Sequence, residues 1–267
     1  MVDLVGSLND MQQRAVLHER GPLLILAGAG SGKTRTLTHR VAFLMRERGV
    51  PASRIFAVTF TNKAAAELRE RVEKIVGSDD LPWVSTFHAA GVRILRAHAE
   101  RIGFARNFAI YDDQDQERLL RDCLRELDIS DEFLNARAAG NAIDAAKNRS
   151  VLPDDFPVHD PRTEAIARAY RRYQERLARS NALDFGDLLL HTVRLFREHE
   201  DVLDRYRDRL LHVLVDEYQD TNKVQYQLTN LLASRHRNLC VVGDDDQSIY
   251  RWRGAEVSNI LEFESDY

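Results

Sequence analysis

The sequence predicts an α/β protein, a parallel sheet with helices wound over both faces and a mostly helical insertion near its middle. Short apolar runs of strand length recur along the chain, and stretches with helical spacing separate most of them. Between about Phe87 and Leu211 the strand signal nearly vanishes while helical spacing continues, which places the insertion.

The runs are LLIL (23–26), RIFAVTF (54–60), WVSTF (83–87), HVLVDE (212–217) and NLCVVGD (238–244). Their apolarity is nearly continuous rather than alternating, as in strands buried on both faces. In such sheets ligands collect outside the carboxyl ends of the strands, and each polar motif of this chain begins at such an end. The segment between reads as helices broken at Gly103, Gly140, Pro153, Pro157 and Pro161, one of them carrying Ile166, Tyr170, Tyr173 and Leu177 on a single face. FAIYD (108–112) is a candidate strand within it.

A chain of 267 residues, 44% hydrophobic and 30% charged, can bury a large core. It has no apolar run of membrane-spanning length, and acids stand near its start where a signal peptide would carry positive charge, so a cytoplasmic location is expected. Cys123 and Cys240 belong to no CxxC or Cys/His cluster, which argues against a disulfide framework or a zinc site. The net charge of −4 does not announce a nucleic-acid binder. Proteins that stack bases on aromatic rings need less positive charge, since each stacked base contributes roughly 1–3 kcal/mol.

AGAGSGKT follows the first strand and matches a phosphate-binding loop, with Ala27 at the usual first glycine. Ala27, Gly28, Ala29, Gly30, Ser31 and Gly32 turn backbone N–H groups toward phosphate oxygens, and the next helix aims its positive end at the same anion. Lys33 supplies a point charge to the β- and γ-phosphates, and Thr34 offers its hydroxyl to Mg²⁺. Asp216 and Glu217 stand at the end of an apolar strand. A DE pair alone is usually solvated surface, but beside such a loop Asp216 is expected to hold Mg²⁺ and Glu217 to orient and deprotonate a water.

Taken in order, LNDMQQRAV (8–16), AGAGSGKT, VTFTNKAA (58–65), STFHA (85–89), VDEYQDTN (215–222) and VGDDDQSIYRWRGA (242–255) resemble the motifs of the superfamily 1 DNA helicases of the UvrD/PcrA/Rep type. The resemblance runs from Leu8 nearly to the last residue. It implies a RecA-like P-loop NTPase sheet, with residues 1–88 and 207–267 forming an ATP-binding motor domain and 89–206 the helical insert. It further implies that Gln12 meets the adenine edge, that Arg35 lies near the base, and that Gln247 senses the γ-phosphate. Single-stranded DNA would lie on Phe60, Thr61, Asn62, Thr86, Phe87, His88, Tyr250, Trp252 and Arg253.

By the same resemblance the cofactors are ATP and Mg²⁺, and the partners are single-stranded DNA and junctions of single- and double-stranded DNA. The activity would be ATP-driven translocation with 3′ to 5′ polarity, and the insert would touch the duplex. The family continues into a second motor domain whose arginines complete the ATP site. Nothing in these 267 residues corresponds to it, so the chain by itself is expected to turn over slowly and not unwind. LDFGDL (183–188) departs from the family at Gly186, and Asp184 and Asp187 receive no role. Two alternatives stay open: the ATPase part of a RecB- or AddA-like helicase-nuclease, and a regulatory module that binds single strands without hydrolysis.

Overall fold

A computed structural model describes residues 4–77, 80–244, 263 and 265–267. Its strands are β1 (Leu23–Leu26), β2 (Ile55–Thr59), β3 (Trp83–Thr86), β4 (Ala109–Tyr111), β5 (Ala182–Asp184), β6 (His212–Val215) and β7 (Leu239–Gly243). Its helices are α1 (Asp10–Leu17), α2 (Lys33–Arg46), α3 (Asn62–Val76), α4 (Phe87–His98), α5 (Asp113–Glu126), α6 (Ala136–Asn148), α7 (Pro161–Arg179), α8 (Phe185–Glu198), α9 (Glu200–Arg209) and α10 (Lys223–Ala233). Two compact units result, one of Met1–Ala90 with His199–Thr221 and Gln225–Tyr267, the other of Gly91–Glu198 with Asn222–Val224. No helix among the described residues is long and apolar enough to cross a membrane.

The first unit holds the α/β architecture that the sequence predicts, and all five predicted runs lie in one sheet of order β1-β7-β6-β2-β3. Every neighbouring pair is parallel. β2 and β7 are buried at every residue, which explains their uninterrupted apolar sequences, because both faces must be covered. On one face Ile55, Ala57, Val84, Leu214 and Val242 pack with Leu37, Val41 and Leu44 of α2 and with Leu68 and Val72 of α3. Each such valine, leucine or isoleucine contributes about 1.5–3 kcal/mol on leaving water. Local signals fix the helix ends: the Thr61 hydroxyl accepts the Ala64 N–H at 3.1 Å to open α3, and Gly77, at φ 65°, closes it.

In the second unit α5, α6 and α7 share a core that includes Leu120, Cys123, Ile143, Tyr170 and Tyr173. The predicted face of α7 is buried as a whole, with Ile166, Tyr170, Tyr173 and Leu177 at 7% exposure or less. Pro161 opens α7 rather than interrupting it, next to a capping box at Asp160. The expected break at Gly140 is incorrect, for Gly140 lies inside α6. A Cβ there would come within 3.3 Å of Leu120 Cδ1, so the missing side chain serves close packing rather than a turn. FAIYD does form a strand, and its parallel partner β5 comes from LDFGDL, where the sequence pattern predicts no strand.

LDFGDL also contributes a buried ionic cluster. Lys147, fully buried on α6, meets Asp184 at 2.5 Å and Asp187 at 2.7 Å. It also donates to Gln174 at 2.9 Å, while the Tyr173 hydroxyl donates to Asp184 at 2.9 Å. Burial alone would favour discharging the ammonium, but the two carboxylates outweigh burial and raise its pKa. Gly186 has room only for hydrogen, since a Cβ would stand 2.8 Å from Lys147 Cδ.

His191 stands on the edge of this cluster, 3.8 Å from Asp187, with neither ring nitrogen hydrogen-bonded. Burial first, and then the positive charge of Lys147, push its pKa down to about 3. The folded protein therefore carries the ring neutral while the unfolded chain takes up a proton below about pH 6.5. Stability should fall as pH drops from about 6.5 toward about 3, by up to about 1.4 kcal/mol per pH unit from this residue. Urea unfolding across that range should show a shallower acid-side loss for His191→Leu than for the parent.

Candidate functional site

The carboxyl edge of the parallel sheet gathers the chemistry. Leu26 pairs with Gly243, Val215 with Val241, Val58 with Val215 and Thr59 with Thr86, so the loops that follow β1, β7, β6, β2 and β3 all emerge on one side. Two backbone bonds extend this register into the loops: Ala27 N–H to Gly243 O at 3.1 Å, and Asp216 N–H to Val58 O at 3.0 Å.

After β1 the chain turns through Gly30 (φ 73°) and Gly32 (φ 85°), left-handed conformations that glycine adopts without strain. Nothing lies within 4 Å of where a Cβ would stand at Gly28 or Gly30, which leaves the loop open as a cradle. Ser31 Oγ braces it by donating to Gly28 O at 2.6 Å. Lys33 and Thr34 then begin α2, with their side chains on the carboxyl edge of the sheet.

The four residues expected to handle phosphate, metal and water meet here. Thr34 Oγ1 donates to Asp216 Oδ2 at 3.4 Å. Lys33 Nζ stands 3.9 Å from Glu217 Oε2. Asp216 is 4% exposed, and burial together with the neighbouring Glu217 pushes its pKa up to about 6. A buried carboxylate beside a hydroxyl is a pair of hard oxygen donors short of positive charge, and a divalent cation such as Mg²⁺ fits that set. Glu217 sits at φ 50° and ψ 48°, a left-handed conformation uncommon for glutamate and of a kind that collects at active sites.

Two further residues belong to the site and escaped the sequence reading. Asp244, with its side chain 1% exposed, takes the Lys33 ammonium at 3.0 Å. Gln219, 2% exposed, donates through Nε2 to Glu217 Oε2 at 2.8 Å and accepts the Asp244 N–H on Oε1 at 3.0 Å. Both lie inside the motif strings VDEYQDTN and VGDDDQSIYRWRGA. What could have exposed them is that a polar residue directly beside a buried strand end needs a partner.

Gln12 stands against the loop: its Nε2 donates to Ser31 O at 2.8 Å while its Oε1 accepts the Asn9 N–H at 3.0 Å in the capping box of α1. One N–H and one lone pair of the amide stay available for a base edge. Arg35 donates to Ser7 Oγ at 2.8 Å and lines a groove of about 350 Å³ with His39, Arg71 and Lys74. A second cavity, of about 330 Å³, is bounded by Thr34, Asp216, Glu217, Gln219, Phe60 and Thr61, so it joins the metal and water residues to the loop after β2.

Of the residues expected on DNA, Thr61 and Asn62 are exposed, Phe60 and His88 are half-buried, and Thr86 spends its hydroxyl accepting the Ala89 N–H at 3.2 Å. Phe87 is 1% exposed and offers no face to a base; it meets Phe60 edge-on at 5.6 Å and supports that ring from below. Gln247, Tyr250, Trp252 and Arg253 lie outside the described residues.

The UvrD/REP helicase N-terminal domain profile matches residues 8–267. The chain belongs to the UvrD/REP helicase family. It is 49% identical over 267 residues to the ATP-dependent DNA helicase PcrA of Staphylococcus aureus and, at the same identity, to that of Staphylococcus epidermidis. In each case 99% of this chain is covered but 37% of the relative, so the chain spans little more than a third of the length of these curated relatives. The cradle, the buried acid and the half-exposed glutamate all lie within the matched span, residues 8–267.

Gly32→Ala tests the loop geometry. A Cβ would lie 2.9 Å from Gln12 Nε2 in a left-handed backbone, so loss of the Gln12 to Ser31 bond and a fall of at least about tenfold in nucleotide affinity are expected in a fluorescent-nucleotide titration.

Proposed function

We propose that this UvrD/REP-family chain is the ATP-binding motor portion of a helicase that translocates on single-stranded DNA 3′ to 5′ and unwinds junctions of single- and double-stranded DNA. The observation that carries the reading is the meeting of Lys33, Thr34, Asp216 and Glu217 within 4 Å contacts at the edge of one parallel sheet. In this reading residues 1–88 and 207–267 are the motor domain, 89–206 are the helical insert, and the protein works in the cytoplasm.

The Gly28 to Gly32 backbone and the start of α2 hold the triphosphate, and Lys33 exchanges Asp244 for a β- or γ-phosphate oxygen. Thr34 and Asp216 would hold Mg²⁺, which would supply charge neutralisation for the triphosphate. Glu217, its side chain 41% exposed in the cavity, orients the attacking water and accepts its proton. Gln12 and Arg35 serve the base, and Gln247 reports the γ-phosphate. Phe60, with Phe87 behind it, joins Thr61, Asn62, Thr86, His88, Tyr250, Trp252 and Arg253 in the DNA track, where stacking tolerates any sequence. A second motor domain supplies arginines across the cleft. Because such an arginine is worth roughly 10³ to 10⁵ in rate, residues 1–267 alone should hydrolyse ATP at least about a thousandfold more slowly than the complete motor and leave duplexes intact.

Single-turnover hydrolysis tests this assignment. Lys33→Ala should abolish both nucleotide binding and hydrolysis. Glu217→Gln should keep the affinity within about twofold and lose about 10²- to 10⁴-fold in rate. Unchanged hydrolysis in Lys33→Ala would refute the assignment, and displacement from 5′-tailed but not 3′-tailed duplexes by the complete protein would refute the polarity.

A further inference from the structure

Helix α1 carries Gln12, yet little in its own sequence holds it in place. It is eight residues long, well under the roughly 12–15 at which an isolated helix becomes stable in water. Val16 is its one buried residue, while Met11 and Leu17 are 69% and 43% exposed. Apolar packing therefore fixes α1 weakly, and polar contacts must set its position along α2.

Arg40 of α2 supplies the contact at the carboxyl end. It is 2% exposed, and Nη1 donates to Ala15 O at 2.9 Å, to Val16 O at 3.3 Å and to His18 O at 2.8 Å. Carbonyls at the end of a helix lack partners within it, and a positive charge there also suits the helix dipole. The Cys240 thiol of β7 neighbours the same guanidinium.

Both ends of α1 are thus gripped by the element that begins at the phosphate cradle. Gln12 Nε2 donates to Ser31 O at 2.8 Å, just before α2, and Arg40 lies seven residues after Lys33, about 10 Å along the same helix. Arg35 and His39 of α2 hold the segment before α1 through Ser7 O at 3.0 Å and Leu4 O at 2.7 Å. The distance between Gln12 and the cradle is therefore set by α2. A glutamine amide pairs with adenine through N6 and N7, whereas guanine offers O6 and N7, two acceptors. That discrimination depends on alignment, because hydrogen bonds weaken steeply off their axis.

Building on the function proposed above, in which Gln12 serves the base, we infer that Arg40 is a positioning residue for base selectivity. By capping α1 it holds the Gln12 amide in register with the phosphate cradle, so that adenine is accepted and guanine refused. Buried at the far end of α1, it acts without touching the nucleotide.

The test measures displacement of a fluorescent ADP analogue by ATP and by GTP from the complete protein and from its Gln12→Ala, Arg40→Lys and Arg40→Met variants. The kcat for ATP is followed at saturating single-stranded DNA. Gln12→Ala and Arg40→Met should each weaken ATP roughly tenfold and leave GTP within about twofold, as loss of one or two hydrogen bonds would, and kcat of Arg40→Met should stay within about threefold. Arg40→Lys keeps the charge and part of the bonding, and should lose about threefold of the preference for ATP. Adding Arg40→Met to Gln12→Ala should cost no further preference, because the arginine acts through the glutamine.

An ATP-to-GTP ratio within about twofold of the parent in Arg40→Met, or in Arg40→Lys if Arg40→Met fails to fold, would overturn the inference. So would equal loss of both nucleotides, an additive loss in the double variant, or failure of both Arg40 variants to fold, since each marks a residue that serves structure alone. A parent without preference for ATP, or a preference that Gln12→Ala leaves intact, would instead bring down the role of Gln12 in the proposed function, and the inference with it.

Discussion

In a sheet whose strands all run the same way, every strand delivers its following loop to the same edge. That geometry is what lets residues 211 positions apart, Lys33 and Asp244, meet at one place. Lys33 and Thr34 follow β1, Asp216 and Glu217 follow β6, and Asp244 follows β7, and the order β1-β7-β6 makes the three loops neighbours. An antiparallel strand at any of these places would send its loop to the opposite edge. The apolar packing of α2 and α3 against β2, β6 and β7 holds that edge steady, and the charged groups are arranged on a support they do not themselves stabilise.

The charges at this edge are unbalanced. Asp216, Glu217 and Asp244 crowd around one ammonium, and burial keeps the Asp216 pKa raised. The surplus of negative charge would repel a bare triphosphate, and in the proposed function a divalent cation held by Thr34 and Asp216 would supply the balancing charge. The second unit shows the opposite solution to burying charge. There Lys147 is enclosed by Asp184 and Asp187 with hydrogen bonds from Tyr173 and to Gln174, a closed set that ties α6, α7, β5 and α8 together. Removal of one partner from such a set is costlier than its absence from the outset.

Much of the site was legible because its chemistry is local. The turn through Gly30 and Gly32 needs residues that accept positive φ, and the lysine and threonine must come directly after it, so the cradle is written in consecutive letters. The five strands of the main sheet were equally plain, since burial on both faces leaves a continuous apolar run. Phe87 was a harder reading: an aromatic at a strand end fits a stacking platform and a core equally well, and only its depth of burial distinguishes them. Gly140 was misread for a similar reason, because a glycine that ends a helix and one that admits a neighbouring helix are the same letter.

The sequence by itself determined the five strands of the main sheet, the glycine-rich turn after the first of them, the acidic strand end and the family, because each rests on residue type and short-range spacing. Tertiary structure alone decided which strands lie side by side, that Asp244 holds Lys33, that Gln219 spans Glu217 and Asp244, and that Asp184 and Asp187 enclose Lys147. The contacts of Asp244 with Lys33 and Gln219 join residues 211 and 25 positions apart, and those of Lys147 with Asp184 and Asp187 join residues 37 and 40 apart; nothing in local spacing selects one polar partner over another at such separations. The choice is made when the sheet closes and each buried polar group takes the complementary group left within its reach.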